Sequence, residues 1–264
     1  MKRLNPQTAS WMGALTGLLL ALLLFAPARW LAQGVNSASA GQVQLVNARG
    51  SVWQGQADLL LTGGEGSRTA AALPQGIRWQ LRPVWATGSP ALSLQLQAPC
   101  CTPQGLGLLL RPLWGGAEVQ LLASRSQWPA DVLVGLGTPW NTLQLESQLA
   151  LQTDGLQLRW LQGRPNIQGR LTLDAQDLAS RLSRLRPLGS YRLELQAAPD
   201  GHTATLNLST QRGELLLQGQ GQWVGGRLRF QGQAEAAPQR EEALNNLLNI
   251  MGRRQGTRSV FSMG

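Results

Sequence analysis

Two adjacent cysteines, Cys100 and Cys101, are the residues of this chain most able to make or break a bond. In an oxidising compartment such thiols pair. A bridge between direct neighbours distorts the link between them, because bridged Cα atoms favour wider spacing. The pair reads as a local turn staple or as two reduced thiols, with a bridge to another chain as a third option. A zinc site wants further Cys or His ligands. There is no second cysteine pair, and His202 is the only histidine. His202 sits in an Asp-Gly-His turn with no Ser or Cys nucleophile motif to serve. The glycine pairs lack the spacing and the following helix of a phosphate loop or dinucleotide fingerprint. The aspartates are scattered singly, so no acid–base pair stands out. The expectation is a non-enzyme with no catalytic residue, no metal site and no cofactor.

The elements around these residues begin with a greasy N-terminus. No charge occurs from Leu4 to Ala28. A bilayer core needs about 20 mostly apolar residues in a helix, so residues 10–28 are expected to form a transmembrane helix. Trp11, Phe25 and Trp30 flank or end the run as membrane-anchor residues. Lys2 and Arg3 precede it, which puts residues 1–9 in the cytoplasm and the rest beyond the bilayer. The alternative is a cleaved signal peptide, for which Ala26-Pro27-Ala28 is a passable site. The length of the run favours an uncleaved anchor. Residues 29–41 are expected to be a linker, extended or mobile across its Gly-, Ser- and Asn-rich part.

Residues 42–264 alternate Leu, Val or Trp with Gln, Arg or Ser, the period of a half-buried strand. Thirteen runs fit this pattern, parted by turn signals such as Gly115-Gly116, Asp154-Gly155 and Gly225-Gly226. Their close spacing argues for antiparallel meanders. The fold class is therefore mainly β: many short antiparallel strands in a curved sheet or sandwich, with two or three short helices. Those helices are expected at residues 129–136, at 177–186 (Leu178, Leu182 and Leu185 on one face) and at 240–252. Two helices cannot shield so many strands. The leucine face must close on itself or stay open as an apolar trough.

The net charge of +9 comes almost wholly from arginine. Spread along alternating strands, it reads as a solvated face, and nucleic acid is not an expected partner. Trp53, Trp79, Trp160 and Trp223 share parity with leucines and are expected in the core. Trp114, Trp128 and Trp140 stand beside Gly or Pro in turns and are candidates for partner docking.

Four phrases carry a family resemblance: RGSVWQGQ (49–56), LPQGIRWQLRP (73–83), LRPLGSYRLEL (185–195) and LLNIMGRR (247–254). In this order, behind a single apolar segment, they resemble the type II secretion system protein N family. That resemblance implies a single-pass inner-membrane protein of Gram-negative bacteria with a periplasmic β-rich domain at residues 42–264. It implies an accessory role in exporting folded proteins across the outer membrane. The partners it implies are the inner membrane and other secretion subunits, the inner-membrane platform first and the secretin as a further option. The family is also distantly similar to AsmA-like proteins, whose curved sheets form lipid-facing troughs. This implies a second reading, a membrane-anchored lipid-handling module.

Overall fold

The structure is a computed structural model, and it describes residues 14–17, 20–22, 24–64, 69–86, 88–137, 140–224 and 227–263. One sixteen-stranded antiparallel sheet dominates it. The strands are β1 (Val43–Gly50), β2 (Gln54–Thr62), β3 (Ala70–Ala72), β4 (Ile77–Ala86), β5 (Ser89–Gln97), β6 (Leu106–Leu113), β7 (Gly116–Leu121) and β8 (Ser124–Pro129). There follow β9 (Leu145–Leu161), β10 (Arg164–Ser180), β11 (Gly189–Ala197), β12 (Thr203–Gly213), β13 (Leu215–Val224), β14 (Arg227–Ala236), β15 (Arg253–Gln255) and β16 (Arg258–Met263). Their order across the sheet nearly repeats their order in sequence; only β3, β8 and the final β14–β16–β15 step depart from it. Hairpins joined by short turns produce this meander, as period-two sequence with Gly-rich turns dictates.

The longest strands meet where a turn was expected. β9 runs straight through Asp154-Gly155 and pairs with β7 along its upper half and β8 along its lower half. Gly155 and Gly169 face each other so closely that a Cβ on Gly169 would strike the Gly155 carbonyl. Both take positive φ, and the register shifts between Gly169 and Leu171. The glycine therefore makes a bulge in a continuous strand rather than a turn.

The helix expected at residues 177–186 is absent. β10 continues to Ser180, where its register partner is Leu145. Ser180 Oγ donates to the Leu143 carbonyl at 2.6 Å and accepts the Leu182 N–H, and Ser183 Oγ accepts the Leu185 N–H. Serine hydroxyls that satisfy nearby backbone compete with helix, and here they hold a turn. The other two expected helices form, as a 3-10 turn at Ala130–Leu136 and an α-helix at Glu241–Met251.

Part of the expected linker is helical. Ala28–Ala38 is a helix laid on β1 and β2, with Ala28 buried beside Ala57 and Trp79. Its Leu31 packs on the same cluster, so a short helix finds enough apolar contact to stay ordered. The described stretches 14–17, 20–22 and 24 are helical and end at Phe25. Pro27 then bridges Ser51, and the Val52 N–H donates to the Ala26 carbonyl at 2.8 Å. Among the described residues no helix is long and apolar enough to cross a membrane. Trp11 lies outside the described residues.

The core is split. The largest cluster lies under the Glu241–Met251 helix, whose Leu244, Leu247 and Leu248 meet Leu215, Leu217, Tyr191 and Ala234. A second joins Leu73, Ala98, Cys101 and Val132 at the lower end of the first strands. The third lies under the Ala28–Ala38 helix. Each fully buried leucine contributes about 1.5–3 kcal/mol, so the sheet is held most firmly at its two flanks.

Candidate functional site

Cross-strand pairing lines up the leucines on one face. Leu81 pairs with Leu94, Leu94 with Leu108, Leu108 with Leu121 and Leu121 with Leu156. Further along, Leu173 pairs with Leu193 and Leu193 with Leu208. These residues are half-buried rather than buried, and none belongs to a buried cluster, although Leu94 and Leu208 pack on one from the side. The inner face is therefore an apolar surface that the flanking helices cover only in part.

Under the Ala28–Ala38 helix this face leaves a cavity of about 340 Å³. Leu31, Leu45, Leu59, Leu81, Leu94 and Trp128 are among its walls. β8 and the 3-10 turn close its lower end: the Gln127 N–H donates to the Cys101 carbonyl at 2.8 Å, and Gly135 rests against the backbone of Leu61. Cys101 is completely buried there and is bonded to Cys100. The cysteine pair thus lies in the β5–β6 turn at the foot of the cavity, where Cys101 packs with Leu73, Ala98 and Val132.

The outer face is polar. Its one buried carboxylate among the described residues, Glu118 on β7, is clasped between strands. Arg111 Nε donates to Oε1 at 2.7 Å, and Arg159 Nη2 donates to Oε2 at 2.8 Å. Burial alone would raise the Glu118 carboxyl, but the bonds from Arg111, Arg159 and Gln157 hold it below the usual carboxylate range. Two guanidinium groups around one carboxylate form a cross-strand brace. His202 is exposed in the β11–β12 turn, where its N–H donates to Asp200 Oδ1. Among the described residues no group of three His, Cys, Asp or Glu could hold a metal.

The candidate docking tryptophans do not converge. Trp114 stands fully exposed at the β6–β7 turn. Trp128 lies against the second core cluster with its indole N–H on Ser126 Oγ, and half-buried Trp140 precedes β9; both are at the other end of the sheet. Of the expected core tryptophans, Trp79 is buried with its N–H on the Val52 carbonyl. Trp160 and Trp223 are exposed instead, because each sits in the next-to-last pair of its hairpin, beyond the reach of either flanking helix. Trp85 joins them at the β4–β5 tip. Its signal was the parity of Trp79, Leu81, Pro83 and Trp85; Pro83 makes the strand look finished too early.

This arrangement is a sheet scaffold that offers faces, edges and loops. The sequence matches the description of the type II secretion system (T2SS), protein N, over residues 41–260. The chain belongs to that family, and membership supports an accessory role in type II secretion. No curated protein and no solved structure matches it.

Proposed function

We propose that this chain is a single-pass inner-membrane subunit whose β-domain stands in the periplasm and supports the secretion machine through protein contacts. The family match over residues 41–260 is the observation that carries this reading. The N-terminal segment supports the anchor: Leu15, Leu20, Leu22, Leu24 and Phe25 are all exposed, a state that lipid accommodates and water does not. Trp30 is exposed just past it, at the place of an interfacial aromatic. Anchoring raises the effective concentration of the domain near other membrane-held subunits. The free outer edge of β1 is suited to strand addition by a partner. In a strain that secretes folded enzymes by this route, deleting the gene is expected to trap them in the periplasm. Unchanged secretion would sink the proposal.

The apolar inner face favours a second reading, a lipid-handling module. A cavity with leucine walls beneath a helix is suited to an acyl chain. Mass spectrometry of the domain purified without detergent is then expected to find co-purified phospholipid. A lipid-free preparation would remove this second reading and leave the first intact.

A further inference from the structure

Successive hairpins of a meander put alternate turns at the same end of the sheet. The β1–β2, β4–β5, β6–β7, β9–β10 and β13–β14 turns all fall at one end. Four of them carry a tryptophan with its ring in solvent: Trp85 is 75 % exposed, Trp114 102 %, Trp160 48 % and Trp223 38 %. Trp160 pairs with Ala117 on one side and Pro165 on the other, and the Gln162 N–H donates to the Gly115 carbonyl at 3.1 Å. The Trp114 and Trp160 tips are therefore joined. Among the described residues no tryptophan of the other end is exposed to this degree.

At the opposite end five arginines are matched by carboxylates: Arg181 and Arg186 by Glu146, Arg212 by Asp177, Arg240 by Glu214 and Arg258 by Glu235, while Arg184 in the turn after β10 is exposed. At the tryptophan end Arg82, Arg164 and Arg227 are exposed, and none has a carboxylate partner among the described residues. Of the carboxylates near this end, Glu118 is covered by Arg111 and Arg159, and Asp200 binds the His202 N–H.

The chain leaves toward its apolar N-terminus at this same end. Ala26 and Pro27 attach to Val52 and Ser51 in the β1–β2 turn. The Leu81 N–H bonds the Trp53 carbonyl, so β4 carries Trp85 four residues further in the same direction. Whatever lies beyond that end is met first by the tryptophan tips.

We propose that the tips bearing Trp85, Trp114, Trp160 and Trp223 rest in the headgroup region of the bilayer that holds the N-terminal segment. Indole rings settle at the boundary between lipid tails and water. Unpaired arginines beside them attract anionic headgroups. The inference rests on the membrane-anchor reading and adds to it an orientation: strands upright on the bilayer, tryptophan end down.

The test places a photoreactive benzophenone amino acid at position 85, 114 or 160 of the full chain, and at Gln104 or Gln239 at the far end as controls. Each variant is reconstituted into vesicles of phosphatidylethanolamine and phosphatidylglycerol, floated, irradiated and analysed for phospholipid adducts. Adducts at the three tips, lost at both controls, are expected. Floated protein without tip adducts, or with equal adducts at both ends, would overturn the orientation while leaving the anchor standing. Failure to float would overturn the anchor, and the orientation with it.

Discussion

Arg159 on β9 and Glu118 on β7 are register partners, and their side chains lie 2.8 Å apart on the outer face. Arg111 on β6 holds the other carboxylate oxygen, so three neighbouring strands share one brace. It lies within the β7–β9 ladder, between the Trp160 tip and the point where β9 passes from β7 to β8.

Replacing Glu118 by Gln is expected to destabilise the domain by about 1–3 kcal/mol, since a buried acceptor of charged hydrogen bonds is lost. The pH dependence has a defined sign. A carboxyl held below its unfolded value stabilises the fold above that unfolded value and loses the contribution as pH falls through the folded one. Urea midpoints should therefore drop in the acid range for the native chain and less so for Glu118→Gln. Identical acid profiles would show that the brace is not formed.

The Phe230 ring lies over Gly219 and Gly221 of the neighbouring strand, where a Cβ would collide with it. Gly219→Val is expected to cost about 1–3 kcal/mol, because overpacking moves either ring or strand. Phe230→Ala opens a cavity instead, and the double variant should recover part of the loss. Additive losses in chemical denaturation would contradict this contact.

Leu247 and Leu248 are the buried face of the C-terminal helix. Leu247→Ala should cost about 2–5 kcal/mol. Because this helix covers the C-terminal core cluster, the variant should also bind more of a hydrophobic dye than the native chain. Equal dye binding would mean that the helix does not shield the sheet.

Cys100 and Cys101 are bonded to each other, and Cys101 faces the core. Protein purified without reductant should take up no alkylating reagent, should lack the mass of two thiol hydrogens, and should run as a single chain on non-reducing gels. A reductant-sensitive dimer would show that the pair bridges two chains.

Much of this architecture was legible in the residues, and the parts that were not share a cause. Period-two alternation marks strands wherever both faces differ, as from Leu92 to Leu96 or Leu193 to Leu195. It says nothing about whether a glycine turns the chain or bulges it, which is why Asp154-Gly155 read as a hairpin. The leucines at 178, 182 and 185 fit a helical face equally well; the serines beside them, bonding to local backbone, decide for strand and turn. The Ala28–Ala38 helix lacks intrinsic helical strength and forms because Leu31 has a partner in the sheet. The tryptophan end was invisible for a related reason. Parity assigns Trp160 and Trp223 to the leucine face, but only topology reveals that they sit past the last covered row.

The account holds that the domain serves secretion only while held at the inner membrane. In a deletion strain, the full chain and a chain whose residues 4–28 are replaced by a cleavable signal peptide can be compared by measuring folded exoprotein in the culture medium. The full chain should restore export and the released domain should not. Equal restoration by the released domain would contradict the account.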